Sequence, residues 1–367
     1  VELNTAPGSA SGWLTELETA ADRTLPSFVA GYFAMTAGDG TTHREGLRDW
    51  AASRFVPRVL SGGIPPSTAT TVLGTPVDTP VLLGPVAQAT AAHPDGEIAV
   101  ARAAAGTGSL LGVSTHAGVP FAEVAATGAP WWLQVYVMTD RGLTAALVER
   151  AVAAGARALI LTVDLPTLDT RQAAFEPSGW PDRTLAARGL NLDDLADPAD
   201  PASRDRRTTA PDVGLDTVGW LASISGLPVV VKGVLHPDDA VAAVGAGAAG
   251  VLVSTHGGRA LDRSVTSRQA LPGVAAALDG SGAEVFADSG LRSGADVLAA
   301  LALGARAVFV GRPQLWGLSA GGEDGVVQVV EGLTTELRRT MAMTGVVSAT
   351  SVPSGVLASG GRSGSPS

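Results

Sequence analysis

The chain has 367 residues, a net charge of −10, 46% hydrophobic but only 4% aromatic residues, 46 glycines and no cysteine. The missing thiols exclude disulfides, thiolate catalysis and Cys-ligated zinc or iron–sulfur centres. The acidic balance, with arginines spread along the chain, argues against nucleic-acid binding. No apolar run reaches a membrane span, so a soluble, cytoplasmic protein is expected.

In chain order, residues 1–80 read as an N-terminal helical extension. Its first part is an amphipathic helix with Leu14, Leu17 and Ala21 on one face, ending near residue 22. Residues 26–60 follow as a helix–turn–helix preamble punctuated by Gly and Asp, and VDTP before Val81 reads as a turn.

From Val81 a rhythm sets in that lasts to residue 345. The apolar runs VLLGPVA, LLGVS, WWLQVYV, ALILTVD, PVVVKG, GVLVST, EVFADSG and AVFVG are each followed by an alanine-rich helical stretch. Strict alternation of β and α units predicts a parallel sheet. Eight units fit an α/β fold of the (β/α)8 TIM-barrel type better than an open doubly wound sheet. Residues 165–215 interrupt the rhythm after the fourth strand with a long Asp-, Arg- and Pro-rich loop, of a length that is usually functional or disordered. Residues 346–367 are Ser/Gly-rich and read as a disordered tail.

Polar residues gather at the C-terminal ends of the strands, where such barrels carry their active sites. Ser114, Gln134 and Tyr136, Thr162 and Asp164, Lys232, Ser254 and His256, Asp288 and Arg312 stand there in turn. Lys232 is the only lysine, and the chain has just 2 tyrosines, Tyr32 and Tyr136. A lone ammonium after an apolar run suggests a place that needs a compact charge or a shiftable pKa. In VLVSTHGGRALD a buried strand ends at a glycine turn holding His256 and Arg259 three residues apart. Arg259 is suited to hold a carboxylate while His256 moves a proton on the neighbouring atom. The loops ADSGLRSG and VGRP combine exposed backbone N–H groups with Arg292 and Arg312, a phosphate signal that phosphosubstrate enzymes share. No metal site is expected.

The ordered stretches KGV, STHGGRALD and DSGLRSGADVLAALALGARAVFVGRP resemble the FMN-dependent α-hydroxy acid oxidase and dehydrogenase family, over roughly residues 25–345. That family includes glycolate oxidase, lactate monooxygenase and mandelate-oxidising enzymes. The resemblance implies bound FMN, a homotetramer and a set of roles. Val86 and Ala87 would face the flavin through their backbone, with Ser114, Gln134 and Thr162 along its ring edge. Lys232 would sit beside N1 and C2=O, where negative charge develops on reduction. Asp288, Ser289, Gly290, Arg292, Gly311 and Arg312 would form the phosphate end. His256 would be the base, paired with Asp164. Tyr32, Arg171 and Arg259 would hold the substrate carboxylate and Tyr136 its hydroxyl. Three departures stand out: Thr255 replaces the asparagine of SNHGG, Ser289 replaces a glycine of DGG, and His116 replaces a tryptophan of glycolate oxidases.

The implied activity is oxidation of an L-2-hydroxy acid to the 2-oxo acid, with dioxygen as acceptor and hydrogen peroxide as product. The space left at His116 points to an aryl, mandelate-like side chain. Three alternatives stay open: oxidative decarboxylation as in lactate monooxygenase, an FMN-dependent isomerase on the same barrel, and a flavin-loaded partner-binding protein without redox activity.

Overall fold

The computed structural model describes residues 12–60, 65–166, 181, 184, 190–196 and 200–358. Eight parallel strands close into a barrel: β3 (Val81–Leu83), β4 (Leu111–Val113), β5 (Trp131–Val135), β6 (Leu159–Thr162), β7 (Val229–Val234), β8 (Gly250–Val253), β9 (Glu284–Ala287) and β10 (Ala307–Val310). Sequential strands are neighbours, and β10 closes the ring against β3. The strands are apolar without alternation because helices cover the outside while side chains fill the inside. The (β/α)8 expectation holds, with a long loop after β6.

Side chains on a strand repeat their direction every second residue, and that period builds the site. Leu82, Leu110, Trp132, Ile160, Val230, Leu252, Phe286 and Phe309 form one buried apolar cluster. The rings of Trp132 and Phe286 meet edge to face at 5.5 Å between centroids, as aromatic quadrupoles prefer. Two residues onward on five of these strands stand Gln134, Thr162, Lys232, Ser254 and Asp288. An apolar floor is thus overlaid by a polar row at the C-terminal mouth.

The N-terminal extension departs from the purely helical expectation. Helices Gly12–Thr24, Ser27–Ala34 and Thr41–Ala51 are followed by an antiparallel hairpin, β1 (Thr70–Val72) and β2 (Thr75–Val77). Leu73 and Gly74 both take positive φ, as a tight two-residue hairpin turn requires. Val72 and Val77 turn inward and join the apolar floor, which drives the pairing.

The tail differs too. Val346, Ala349 and Val356 are buried, Val56 N–H donates to Val356 O at 2.8 Å, and Ala358 N–H donates to Arg54 O at 2.9 Å. Residues 346–358 are therefore tied to the N-terminal extension by backbone hydrogen bonds, and their three apolar side chains join the main apolar cluster. Residues 359–367 lie outside the described residues. Of the loop 165–215, helix Pro201–Arg206 and residues 190–196 are described. Arg150 pairs with Asp194 at 2.7 Å and Arg206 with Asp140 at 2.8 Å, tying that part to helix Arg141–Ala153. Among the described residues, no helix is long and apolar enough to cross a membrane.

Candidate active site

Asp164 lies two residues beyond the end of β6 and His256 three beyond β8, so the barrel brings the two to one place. Asp164 Oδ1 is 2.9 Å from His256 Nδ1, and Lys232 Nζ stands 3.8 Å from Asp164 Oδ2. A bulge in β7 between Lys232 and Val234 makes room for this. Gly233, at φ +107°, is its pivot: a Cβ there would lie 2.5 Å from Cβ of Asp164. Burial alone would push the Asp164 carboxyl up, but Lys232 and His256 outweigh it and hold the pKa at about 2. Burial, then Lys232, pushes the His256 pKa below the usual imidazole value of 6.5, against the opposing pull of Asp164. At neutral pH the pair is therefore an anionic carboxylate and a neutral imidazole. The carboxylate takes the Nδ1–H, which leaves Nε2 as the basic atom.

His256 has φ +55°, a region costly for a residue with a side chain. Serine hydroxyls hold the turn. His256 N–H donates to Ser254 Oγ at 3.0 Å, and Thr255 N–H and Gly257 N–H donate to Ser289 Oγ at 3.1 and 2.9 Å. Lys232 Nζ donates to Ser254 Oγ at 3.0 Å, and Ser289 Oγ donates to Asp288 Oδ1 at 2.6 Å. Asp288 Oδ2 is itself 3.8 Å from Lys232 Nζ.

The expected substrate side chains converge beside this pair. The Arg259 guanidinium lies 4.8 Å from the centre of the Tyr32 ring and donates to Tyr32 O at 2.8 Å. Burial raises the Tyr136 pKa, Asp164 and Tyr32 add to it, and Arg259 opposes them, so the phenol stays protonated. His116 stacks on Tyr136 at 5.8 Å with 29° between the rings. Arg171 lies outside the described residues.

On the other side, Gln134 Nε2 donates to Thr162 Oγ1 at 3.0 Å, and Ser114 Oγ donates to Gln134 Oε1 at 3.3 Å. Val86 and Ala87 are half-buried just past β3, and Gly311 caps the N-terminus of helix Arg312–Thr344. Arg292 is buried and Arg312 half-buried, and neither has a carboxylate within ion-pair distance among the described residues. Burial lowers the Arg292 pKa to about 10; burial and then Arg292 itself lower that of Arg312 to about 9. Arg292 stacks on Trp316 at 4.9 Å, whereas Arg312 donates to Phe33 O, Met35 O and Gly257 O at 3.1, 2.8 and 2.7 Å. One buried and one half-buried guanidinium that repel each other are a poor arrangement alone and a good one around a phosphate. The residues present therefore fit FMN. Among the described residues, no cluster could hold a metal ion.

Two contributors escaped sequence reasoning. His43 packs against the phosphate end, with Nδ1 3.4 Å from Arg312 Nη1 and its pKa lowered to about 4 by burial and then by Arg312. Asp262 accepts from Asp39 N–H at 2.8 Å and Thr42 N–H at 2.9 Å, fastening the N-terminal segment to the loop after β8. No local pattern marks His43, and Asp262 is read in the sequence only as the last residue of STHGGRALD, because both act between segments distant in sequence.

Residues 21–359 match the FMN-dependent dehydrogenase family. An L-lactate oxidase of Nostoc sp. is 40% identical over 343 residues, covering 90% of this chain and 94% of that protein. A glycolate oxidase of Spinacia oleracea is 38% identical, covering 90% and 91%. Among solved structures, a lactate oxidase of Pediococcus acidilactici superposes with a TM-score of 0.84 at 34% identity, covering 92% and 91%. A mandelate oxidase with benzoyl-formic acid gives 0.82 at 35%, covering 94% and 97%.

Proposed function

This chain belongs to the FMN-dependent dehydrogenase family, uses FMN and oxidises a 2-hydroxy acid, and from that premise we propose that its substrate is an L-2-hydroxy acid with an aryl side chain. Dioxygen takes the electrons and leaves as hydrogen peroxide. When bound, FMN supplies the acceptor for the two electrons of the substrate Cα–H bond.

The chain's own residues do the rest. Arg292 and Arg312, with the Gly290 and Gly311 backbone and Asp288, would hold the phosphate end, and Ser114, Gln134 and Thr162 would line the ring edge with Val86 and Ala87. The Ser289 hydroxyl, taken up by Thr255, Gly257 and Asp288, would stand outside that set. Lys232 would face the negative charge that reduction would place on the ring. Arg259, Tyr32 and Arg171 hold the substrate carboxylate, and the neutral Tyr136 phenol bonds its hydroxyl. His256 Nε2 removes the hydroxyl proton, and Asp164 stabilises the imidazolium that forms.

The observation that carries this reading is His256 held neutral at 2.9 Å from an ionised Asp164, with Arg259 three residues on. The aryl preference rests on His116, whose ring stands 5.8 Å from that of Tyr136, at 29° to it, where glycolate oxidases carry a larger tryptophan. The wall of the site therefore takes up less volume there and can take an aromatic ring. The test is anaerobic bleaching of the flavin with mandelate, lactate and glycolate, followed by product analysis in air. A carboxylic acid one carbon shorter, in place of the 2-oxo acid and peroxide, would identify oxidative decarboxylation. Flavin that no 2-hydroxy acid bleaches would overturn the reading.

A further inference from the structure

Three successive amides at the tip of β8, those of Thr255, His256 and Gly257, are all taken by serine hydroxyls, and two of the three go to Ser289. A hydroxyl offers one proton and two lone pairs. Ser289 gives its proton to Asp288 Oδ1 at 2.6 Å and accepts from Thr255 and Gly257, so its capacity is filled. Nothing is left over for a phosphate oxygen. We propose that Ser289 is a positioning residue for the base: it clamps the amides on either side of His256 and holds that residue in its left-handed conformation.

Two observations support the assignment. Ser289 is itself held at φ +69°, and its carbonyl accepts from Trp50 Nε1 at 3.0 Å and from Ser267 Oγ at 3.1 Å. The hydroxyl therefore projects from a backbone fixed on its own account. The clamp is also wired to charge: Asp288 reaches Lys232, and Lys232 reaches Ser254, which takes the remaining amide. The turn that aims His256 and the cation beside it form one closed network. Without the hydroxyl, two amides lose their acceptor and the turn relaxes toward ordinary φ, drawing Nδ1 away from Asp164.

The proposal rests on His256 being the base, and its test separates the two ideas. Ser289→Gly and Ser289→Ala both remove the hydroxyl; glycine occupies φ +69° freely, so Ser289→Gly keeps the fold. On flavin-loaded protein, hydrogen exchange of the peptide spanning residues 254–259 is expected to quicken at least about tenfold in both variants. Their kcat with the best 2-hydroxy acid is expected to fall about tenfold or more, with KM within about threefold, as loss of a transition-state interaction requires. Parent-like exchange, or a parent-like kcat, in Ser289→Gly overturns the proposal. If the parent protein reduces its flavin with no 2-hydroxy acid, the functional reading fails and the exchange rates alone decide the clamp.

Discussion

His256 and Asp164, separated by 92 positions in the chain, meet at 2.9 Å through Nδ1 and Oδ1, and the carboxylate's other oxygen faces Lys232 at 3.8 Å. The base thus has one partner that raises its proton affinity and two cations, Lys232 and then Arg259, that lower it. Replacing His256 by Ala is expected to leave flavin bound and to slow its reduction at least about a hundredfold, the scale of general acid–base catalysis. Stopped-flow reduction without oxygen measures it, and an unchanged rate removes His256 from the reaction.

Asp164→Asn keeps the shape of the pair and removes its charge. Nδ1 then no longer faces an obligate acceptor, and the wrong tautomer becomes accessible. The expected result is a fall in kcat of about a hundredfold with KM little changed. A fall confined to KM would instead assign Asp164 to substrate binding.

Lys232→Met tests the cation through pH. The neutral imidazole is the active form, so kcat/KM falls as pH drops through the His256 pKa. Lys232 is one of the two causes that depress that pKa, after burial itself. Removing it moves the acidic limb of the profile to higher pH. A limb that stays put or moves down shows that Lys232 does not act on the base.

Arg292 predicts opposite effects on two states. In the protein without flavin it is a buried cation lacking a carboxylate partner, so Arg292→Met should leave Tm unchanged or raise it. Charge-assisted hydrogen bonds contribute about 1.5–3 kcal/mol, so FMN affinity should fall about tenfold or more. Fluorescence titration of the flavin-free variant with FMN settles the matter; wild-type affinity would take Arg292 out of the phosphate end.

Substrate size is tested at His116. His116→Trp fills the space above Tyr136 and is expected to invert a parent preference for mandelate over glycolate in kcat/KM. A parent enzyme that already turns over glycolate faster than any aryl acid contradicts the aryl assignment.

The barrel was legible because its strands are buried on both faces and announce themselves as unbroken apolar runs. The polar row was legible for a related reason: in a period of two, the residue after next on each strand shares the inward direction. The hairpin was not, since three-residue strands with Pro76 in one of them carry almost no pattern. In the stretch after Gly345 the apolar contacts of Val346, Ala349 and Val356 are masked by serine and glycine between them. Ser289 was readable as part of a glycine-rich phosphate loop, but not as a clamp on His256, because that contact bridges two strands. His43 sits in a helix whose sequence looks solvated, and only the fold turns it toward Arg312.

The hairpin plug has a consequence for traffic. Val72 and Val77 seat against the edge-to-face rings and aliphatic chains that fill the lower barrel, so hydroxy acid and oxo acid must share one doorway. Each departing product crosses the path of the next arrival, and a slow-leaving oxo acid doubles as a stopper. Turnover in such a vessel is governed as much by how the mouth clears as by how fast the bond breaks.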